Sequence, residues 1–338
     1  MRPQPSTGEP VAPRSHVHGA IVVVVDVDLP GLRLRPELLA AGLSDDDLAR
    51  LRRSGGLERV RRGAYVKGTD DRLRVREARH ALATRAAVTQ LPPGAVVSHV
   101  SAAVLHGLPA WGMALDRVHV IRDGLSGGHR RPSLHVHVTP LSPDEITLVD
   151  GLPVTTVART VADLARDEPF QQAVAVADAA LRRGAVTRDV LDDAVGRLRR
   201  RPGVRAARRA AAFADEASES VGESRSRVLL DRARLPPPVL QWEVPARRPV
   251  GRTDFAWPEL RTVGEFDGRT KYGRLLRPGQ EPGDVVFAEK RREDAIRDAG
   301  FQVVRWVWAD LDDFDDVVAR LHAAFARARG SPGYRERP

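Results

Sequence analysis

The chain has 338 residues, a formal charge of +9, 42% hydrophobic residues and no cysteine. That length asks for two or three domains, and the apolar content can give each a core. The lack of cysteine excludes disulfides, thiolate metal sites and a cysteine nucleophile and fits a reducing cytoplasm, while the basic excess points to polyanions, nucleic acid first.

Residues 1–34 read as a tail, rich in Pro, Ser, Gly and His over 1–18, with one strand-like run, Ala20 to Val27. No basic n-region followed by an apolar h-region opens the chain, so no secretory signal is expected. The longest apolar run, Ala20 to Val25, is too short to span a bilayer, so the expected location is cytoplasmic, away from membranes.

From Pro36 a short helix closes at Gly42. Ser44 then caps a second helix over about 45–54, with Asp45, Asp46 and Asp47 at the positive end of its dipole. Gly55 and Gly56 end that helix, and two short strands follow around Arg61-Arg62-Gly63. Helix, turn, helix and basic hairpin is the order of a winged helix-turn-helix. Arg50, Arg52, Arg53, Arg59, Arg61 and Arg62 are its expected phosphate contacts.

A helix over 73–91 is broken by Pro92-Pro93-Gly94. Residues 95–160 mix a helix near 99–107 with strands near 117–122, 134–139 and 152–156. Residues 157–200 are helical, and 197–209 hold seven arginines and no acid, either a basic linker lying on phosphate or a solvated helical face, with the solvated face the default. Ser98 and His99 are sequence neighbours, which cannot normally form a nucleophile–base pair, so Ser98 is assigned as a helix cap. His135 and His137 share a strand face and His119 lies on another strand. Without a placed third ligand they rank below the carboxylates as a metal site.

From about residue 218 the pattern is helix, three strands, helix, strand and helix, which is α/β with a mixed central sheet. Trp257, Trp306 and Trp308 are read as core or rim groups of that sheet. Four acids stand out. Glu223 lies on the first helix, and Asp254 lies in the strand Arg-Thr-Asp-Phe-Ala-Trp. Glu265 and Asp267 are two residues apart on the next strand, so they face the same way. The eleven-residue step from Asp254 to Glu265 suits a hairpin that sets the two side by side. Carboxylates gathered on one sheet face need a cation or a proton between them, and oxygen ligands suit Mg2+ or Mn2+. The chain has three lysines, Lys67, Lys271 and Lys290, and two fall in this segment. Lysine offers a compact charge and a removable proton that arginine cannot.

The stretch Glu265-Phe-Asp-Gly-Arg-Thr-Lys271 resembles the E-x-D-G-x-x-H element of the very-short-patch-repair-like branch of the PD-(D/E)xK nucleases. The stretch from Glu289 through Gly300 to Arg305 is similar to that branch's downstream helix and strand. The resemblance covers roughly 218–310 and implies Asp254 and Glu265 as metal ligands, with Asp267 next to them and Lys271 at the histidine position. Glu223, reaching in from the first helix, is expected as a further ligand, and Asp254, Glu265, Asp267 and Lys271 as the catalytic set. Arg292 and Arg305 take that branch's basic positions, and with Lys290 they are the expected contacts to DNA. The chain departs from the pattern in three places: Asp267 replaces the usual lysine, Lys271 the histidine, and Glu289 an aspartate.

A second resemblance covers roughly 35–195. Ala41-Gly-Leu-Ser, Arg61-Arg-Gly-Ala-Tyr-Val, the run from Ser98 to Pro109, and Ala158-Arg-Thr-Val-Ala-Asp-Leu164 look like the AbiEi-type antitoxins of type IV toxin–antitoxin systems. That likeness implies a winged helix that represses its own operon and a domain that counters a nucleotidyltransferase-type toxin.

The expected architecture is therefore α/β and multi-domain. A winged helix-turn-helix occupies 35–91, an α/β antitoxin-like domain 92–200, a basic linker 201–217 and a restriction-endonuclease-like domain 218–330. The leading expectation for function is DNA binding joined to Mg2+-dependent phosphodiester cleavage. The alternatives are a regulator and antitoxin whose nuclease-like fold no longer cuts, and a pure interaction protein.

Overall fold

A computed structural model describes residues 31–123, 128–245, 250–268 and 282–329. The expected N-terminal tail and the strand-like run at Ala20 to Val27 lie outside those residues, as does Lys271. The architecture is α/β and multi-domain, built on three sheets with helices packed about them. Among the described residues no helix is long and apolar enough to cross a membrane.

The N-terminal sheet has the order β1-β3-β2, formed by β1 (Arg33–Leu34), β2 (Leu57–Arg61) and β3 (Ala64–Lys67). Between β1 and β2 run α1 (Arg35–Ala40) and α2 (Asp45–Arg53). Ser44 caps α2 reciprocally: its hydroxyl accepts from Asp47 N at 3.2 Å, and the Asp47 carboxylate accepts from Ser44 N at 2.9 Å. Leu38, Leu43, Leu48, Leu57 and Tyr65 form the small core that holds helices and hairpin together.

The middle sheet has six strands in the order β6-β7-β5-β4-β9-β8. They are β4 (Val96–Val97), β5 (Val118–Ile121), β6 (His129–Arg131), β7 (Leu134–His137), β8 (Ile146–Val149) and β9 (Leu152–Thr155). The strands β4, β6 and β8 are absent from the sequence reading; β4 and β6, of two and three residues, are too short for alternation to register. Helix α3 (Arg76–Gln90) leads into the sheet, and α4 (His99–Leu105) follows β4 directly.

Four helices then share one apolar core: α5 (Val157–Asp167), α6 (Phe170–Arg182), α7 (Arg188–Arg197) and α8 (Val204–Phe213). Helix α8 lies where a basic linker is expected. Its Ala207, Ala210 and Ala211 are buried while its arginines point outward. Alanines at helical spacing make the buried face, and the arginines around them mask it in the sequence. Gly203 starts α8, and a Cβ there would sit 2.4 Å from the Arg166 carbonyl oxygen.

The C-terminal sheet has the order β10-β11-β12-β13: β10 (Val239–Glu243), β11 (Arg252–Trp257), β12 (Thr262–Asp267) and β13 (Gln302–Val307). The first two pairings are antiparallel and the last is parallel, so the sheet is mixed as expected. Helices α9 (Val221–Arg232) and α11 (Asp315–Arg329) cover one face through Leu230, Phe255, Phe266, Trp306 and Leu321. Helix α10 (Pro282–Asp298) covers the other face through Ile296 against Ala256 and Val263. Trp306 belongs to the core, and its Nε1 donates to Ser226 Oγ at 2.7 Å. Gly222 lets α9 lie directly on the sheet, because a Cβ there would stand 2.0 Å from the Phe266 ring. That contact brings the start of α9, with Glu223, to the rim of the acidic strands.

Candidate functional site

Strands β11 and β12 pair Phe255 with Gly264. One step further along that antiparallel register, Asp254 falls opposite Glu265. Both lie on the α10 side, since their neighbours Phe255, Gly264 and Phe266 face the other way. The Asp254 carboxylate accepts the Phe266 backbone N–H at 2.8 Å. Asp267 shares the face of Glu265, and β13 sets Arg305 directly beside Glu265.

Glu265 is buried, and two guanidiniums satisfy it. Arg305 reaches Oε2 at 2.8 Å, and Arg292 on α10 pairs with Oε1. Arg305 also pairs with Glu289, with Glu293 at 3.3 Å and with Asp267 at 3.6 Å. Arg292 reaches Glu289 at 3.1 Å and donates to the carbonyls of Val250 and Arg252. Burial alone would push Glu289 toward protonation, but the two arginines outweigh it and hold its carboxyl below the usual range. Arg292 and Arg305, expected as contacts to DNA, are thus engaged with acids inside the unit. The exposed Lys290 stands beside them on α10. Arg292 and Arg305 together face four carboxylates, Glu265, Asp267, Glu289 and Glu293, and Arg297 also pairs with Glu293.

Glu223 sits at the first turn of α9. Its carboxyl accepts from Glu219 N at 2.8 Å, Ser220 Oγ at 2.7 Å and Gln241 Nε2 at 3.1 Å. Burial, and after it the charge of Asp254, pushes its pKa up to about 7. A cation between the two carboxylates would offset the part of that shift due to Asp254, though not the larger part due to burial. The register thus sets Asp254 across from Glu265, with Asp267 on the same face and Glu223 near enough to Asp254 to feel its charge. Among the described residues no three of these acids offer ligand atoms within 4.8 Å of one another, and Lys271 lies outside the described residues.

In the N-terminal unit, Arg50, Arg52, Arg53, Arg59 and Arg62 are exposed. Arg50 pairs with Asp47. Arg61 is different: its Nε donates to Gln90 Oε1 at 3.0 Å and its Nη1 to the Ser133 carbonyl at 3.3 Å. That side chain ties the hairpin to the middle domain, and a phosphate would have to break those bonds to reach it.

A second cluster lies in the middle domain. Ring nitrogens of His99, His119 and His137 all fall within 4.8 Å of one another, which is a potential metal-coordinating group. Strands β5 and β7 are parallel and pair His119 with His135 and Ile121 with His137. Strand β4 pairs Val97 with Val120, and His99 follows two residues later. His99 is thus the third ligand that sequence reasoning leaves unplaced. The available signal was a histidine just after a short strand, but only the β4–β5 pairing says which histidines it meets. Ser98 stands at the N-cap position of α4, yet its hydroxyl makes no cap bond and lies 3.0 Å from His99 Nδ1. Burial, reinforced by neighbouring positive groups, holds His119 down to about 3 and His135 to about 4, and lowers His137 as well. These rings are neutral at pH 7, the form that binds metal.

No protein-family profile matches the chain. It is similar to the uncharacterized proteins MT2308 and Rv2248 of two Mycobacterium tuberculosis strains, CDC 1551 and H37Rv. Each is 28% identical over 277 residues, covering 81% of this chain and 93% of the relative. Among solved structures, the RV2827C protein from Mycobacterium tuberculosis overlaps 63% of this chain and 79% of its own, at 17% identity and a TM-score of 0.35.

Proposed function

We propose that this protein binds DNA and cleaves its phosphodiester backbone in a divalent-metal-dependent reaction in the C-terminal unit. The observation that carries this reading is the meeting of Asp254 and Glu265 across β11 and β12, with Glu223 close enough to feel the charge of Asp254. The donor set is oxygen throughout, which suits Mg2+ or Mn2+. Asp254 and Glu265 would hold the ion with Glu223 beside them, and the ion would polarise the phosphate and activate water. Asp267 keeps Arg305 in place, and Lys271 supplies positive charge to the phosphate as it becomes more negative. The exposed arginines of α2 and the β2–β3 hairpin hold the backbone of the duplex, as a winged helix-turn-helix does. The unit over 218–330 is read as restriction-endonuclease-like on the two motif blocks.

The test is nicking of supercoiled plasmid with and without Mg2+ or Mn2+. Metal-dependent nicking that disappears in Asp254→Asn and Glu265→Gln supports the reading. Absence of nicking by the intact protein with either ion defeats it.

One observation favours a second reading. Both oxygens of Glu265 are already taken by Arg292 and Arg305, as in a site held closed without metal. On that reading the chain is a regulator and antitoxin-like protein whose nuclease-like unit binds DNA without cutting, with a nucleotidyltransferase-type toxin as its partner. Tight, salt-dependent DNA binding without cleavage would select it.

A further inference from the structure

Histidines in this chain divide by what their nitrogens meet. His80 is satisfied on both sides, by the Leu115 carbonyl at 3.1 Å and Ser101 Oγ at 2.8 Å. His106 Nε2 meets the Thr155 carbonyl at 2.7 Å. His135 Nε2 takes the Arg130 Nε donor at 3.3 Å. His119 and His137 instead point nitrogens at each other, Nδ1 to Nε2, at 3.0 Å. His99 stacks on His137 with ring centroids 3.7 Å apart, and its own nitrogens face Ser98 Oγ and the Asp167 carboxylate.

Four independent features converge on that trio. The strands and the α4 start that carry them are hydrogen-bonded neighbours, so the spacing is built into the backbone. Ser101 Oγ accepts the His119 backbone N–H at 2.9 Å while contacting His80, which pins His119 from behind. His99 has φ +51°, a left-handed conformation that a residue with a side chain adopts at a cost. Such strain gathers where a side chain must be aimed. Finally, two of the trio, His99 and His137, line a cleft of about 480 Å³ together with Asp167, Arg130 and Arg201.

We propose that His99, His119 and His137 bind a zinc-class transition-metal ion, with a fourth coordination position facing the cleft for an oxyanion. Three imidazoles and an open position are the donor set of reactive rather than structural zinc. Nitrogen ligands also separate this site from the oxygen site of the C-terminal unit, which suits harder ions. Tetrahedral bonds to zinc place ligand nitrogens about 3.3 Å apart, so the His119–His137 pair is already near its final spacing and only His99 has to turn. Asp167, 3.2 Å from His99 Nε2, orients that ring and offsets the added positive charge. Arg130 and Arg201 oppose the cation but favour an anion bound to it.

The experiment titrates the chelator-stripped full-length protein with ZnCl2 and CoCl2 by calorimetry and visible absorption. One equivalent per chain, with cobalt bands of a nitrogen-ligated ion, is expected. Single His119→Gln and His137→Gln variants should lose that equivalent, and Asp167→Asn should weaken it about tenfold to a hundredfold. Asp254→Asn should keep it, which separates this site from the proposed nuclease site. Inorganic phosphate added to the cobalt form should shift the bands, and unshifted bands would overturn the open position. No stoichiometric binding by the wild-type protein would overturn the metal site, a result that depends on no variant folding. Full retention of the equivalent in the two histidine variants would overturn it equally.

Discussion

Arg305 stands beside Glu265 on the adjoining parallel strand, and its guanidinium meets Glu265 Oε2 at 2.8 Å while also pairing with Glu289, Glu293 and Asp267. One cation thus ties three elements, β12, β13 and α10, around the acidic end of the sheet. Glu265 is nearly removed from water, so its loss would leave two partly buried guanidiniums short of a partner. Breaking a buried pair from one side costs about 3–5 kcal/mol. Partial exposure of the arginines places the expected value for Glu265→Ala near the lower end, roughly 3 kcal/mol. Urea denaturation checks it, and an unchanged midpoint would mean that the pairing does not hold the sheet end together.

Glu223 predicts a pH dependence. Its folded pKa, about 7, lies above the ordinary 4.5, so the folded protein holds a proton that the unfolded chain releases. Below about pH 4.5 both states are protonated and nothing is lost. Between there and about pH 7 stability falls as pH rises, by at most roughly 3 kcal/mol from this group. Glu223→Gln should flatten that slope and raise the urea midpoint at pH 8. Added Mg2+ should also flatten it in the wild type, if the ion sits between Glu223 and Asp254. A slope identical in wild type and Glu223→Gln would show that folding does not raise this carboxyl.

The arginines of the N-terminal unit should separate into two classes. Replacing Arg50, Arg52, Arg53 and Arg59 together by alanine should weaken binding to any duplex and lower the salt dependence, since fewer counterions are released. Arg61→Ala should instead loosen the hairpin from the middle domain, because its bonds go to Gln90 and Ser133. Its effect belongs in a thermal melt rather than in the salt slope. A quadruple variant with wild-type affinity and slope would reduce that surface to a solvated face.

Lys271 is the sharpest test of cleavage. Losing a donor that stabilises developing phosphate charge costs about a hundredfold to a thousandfold in rate. Lys271→Ala should lose nicking by that order, and Lys271→Arg should not restore it, since a guanidinium is neither compact nor able to deprotonate. Wild-type nicking by the arginine variant at saturating Mg2+ would remove Lys271 from the reaction.

Local chemistry settled a good deal before any fold was known. Ser44 and its three aspartates wrote the start of α2, and Gly55 and Gly56 its end, because caps and dipoles act within one turn. The two-residue period put Glu265 and Asp267 on one face, and the step from Asp254 anticipated a hairpin that brings the two acids level. What no local rule contained was the partner of each charge. That Glu265 would be held by Arg292 and Arg305, and that Arg61 would turn toward Gln90, depended on helices and strands dozens of residues away. The buried side of α8 went unread for the same reason, since alanines reveal a buried face only when a neighbour such as α5 covers it. The histidines make the point most plainly. His99, His119 and His137 are ordinary in sequence, and they meet only because β4, β5 and β7 are laid side by side by pairings the chain does not announce. Backbone periodicity is local and survives in the sequence, whereas strand order is decided by which apolar faces find one another in the folded core.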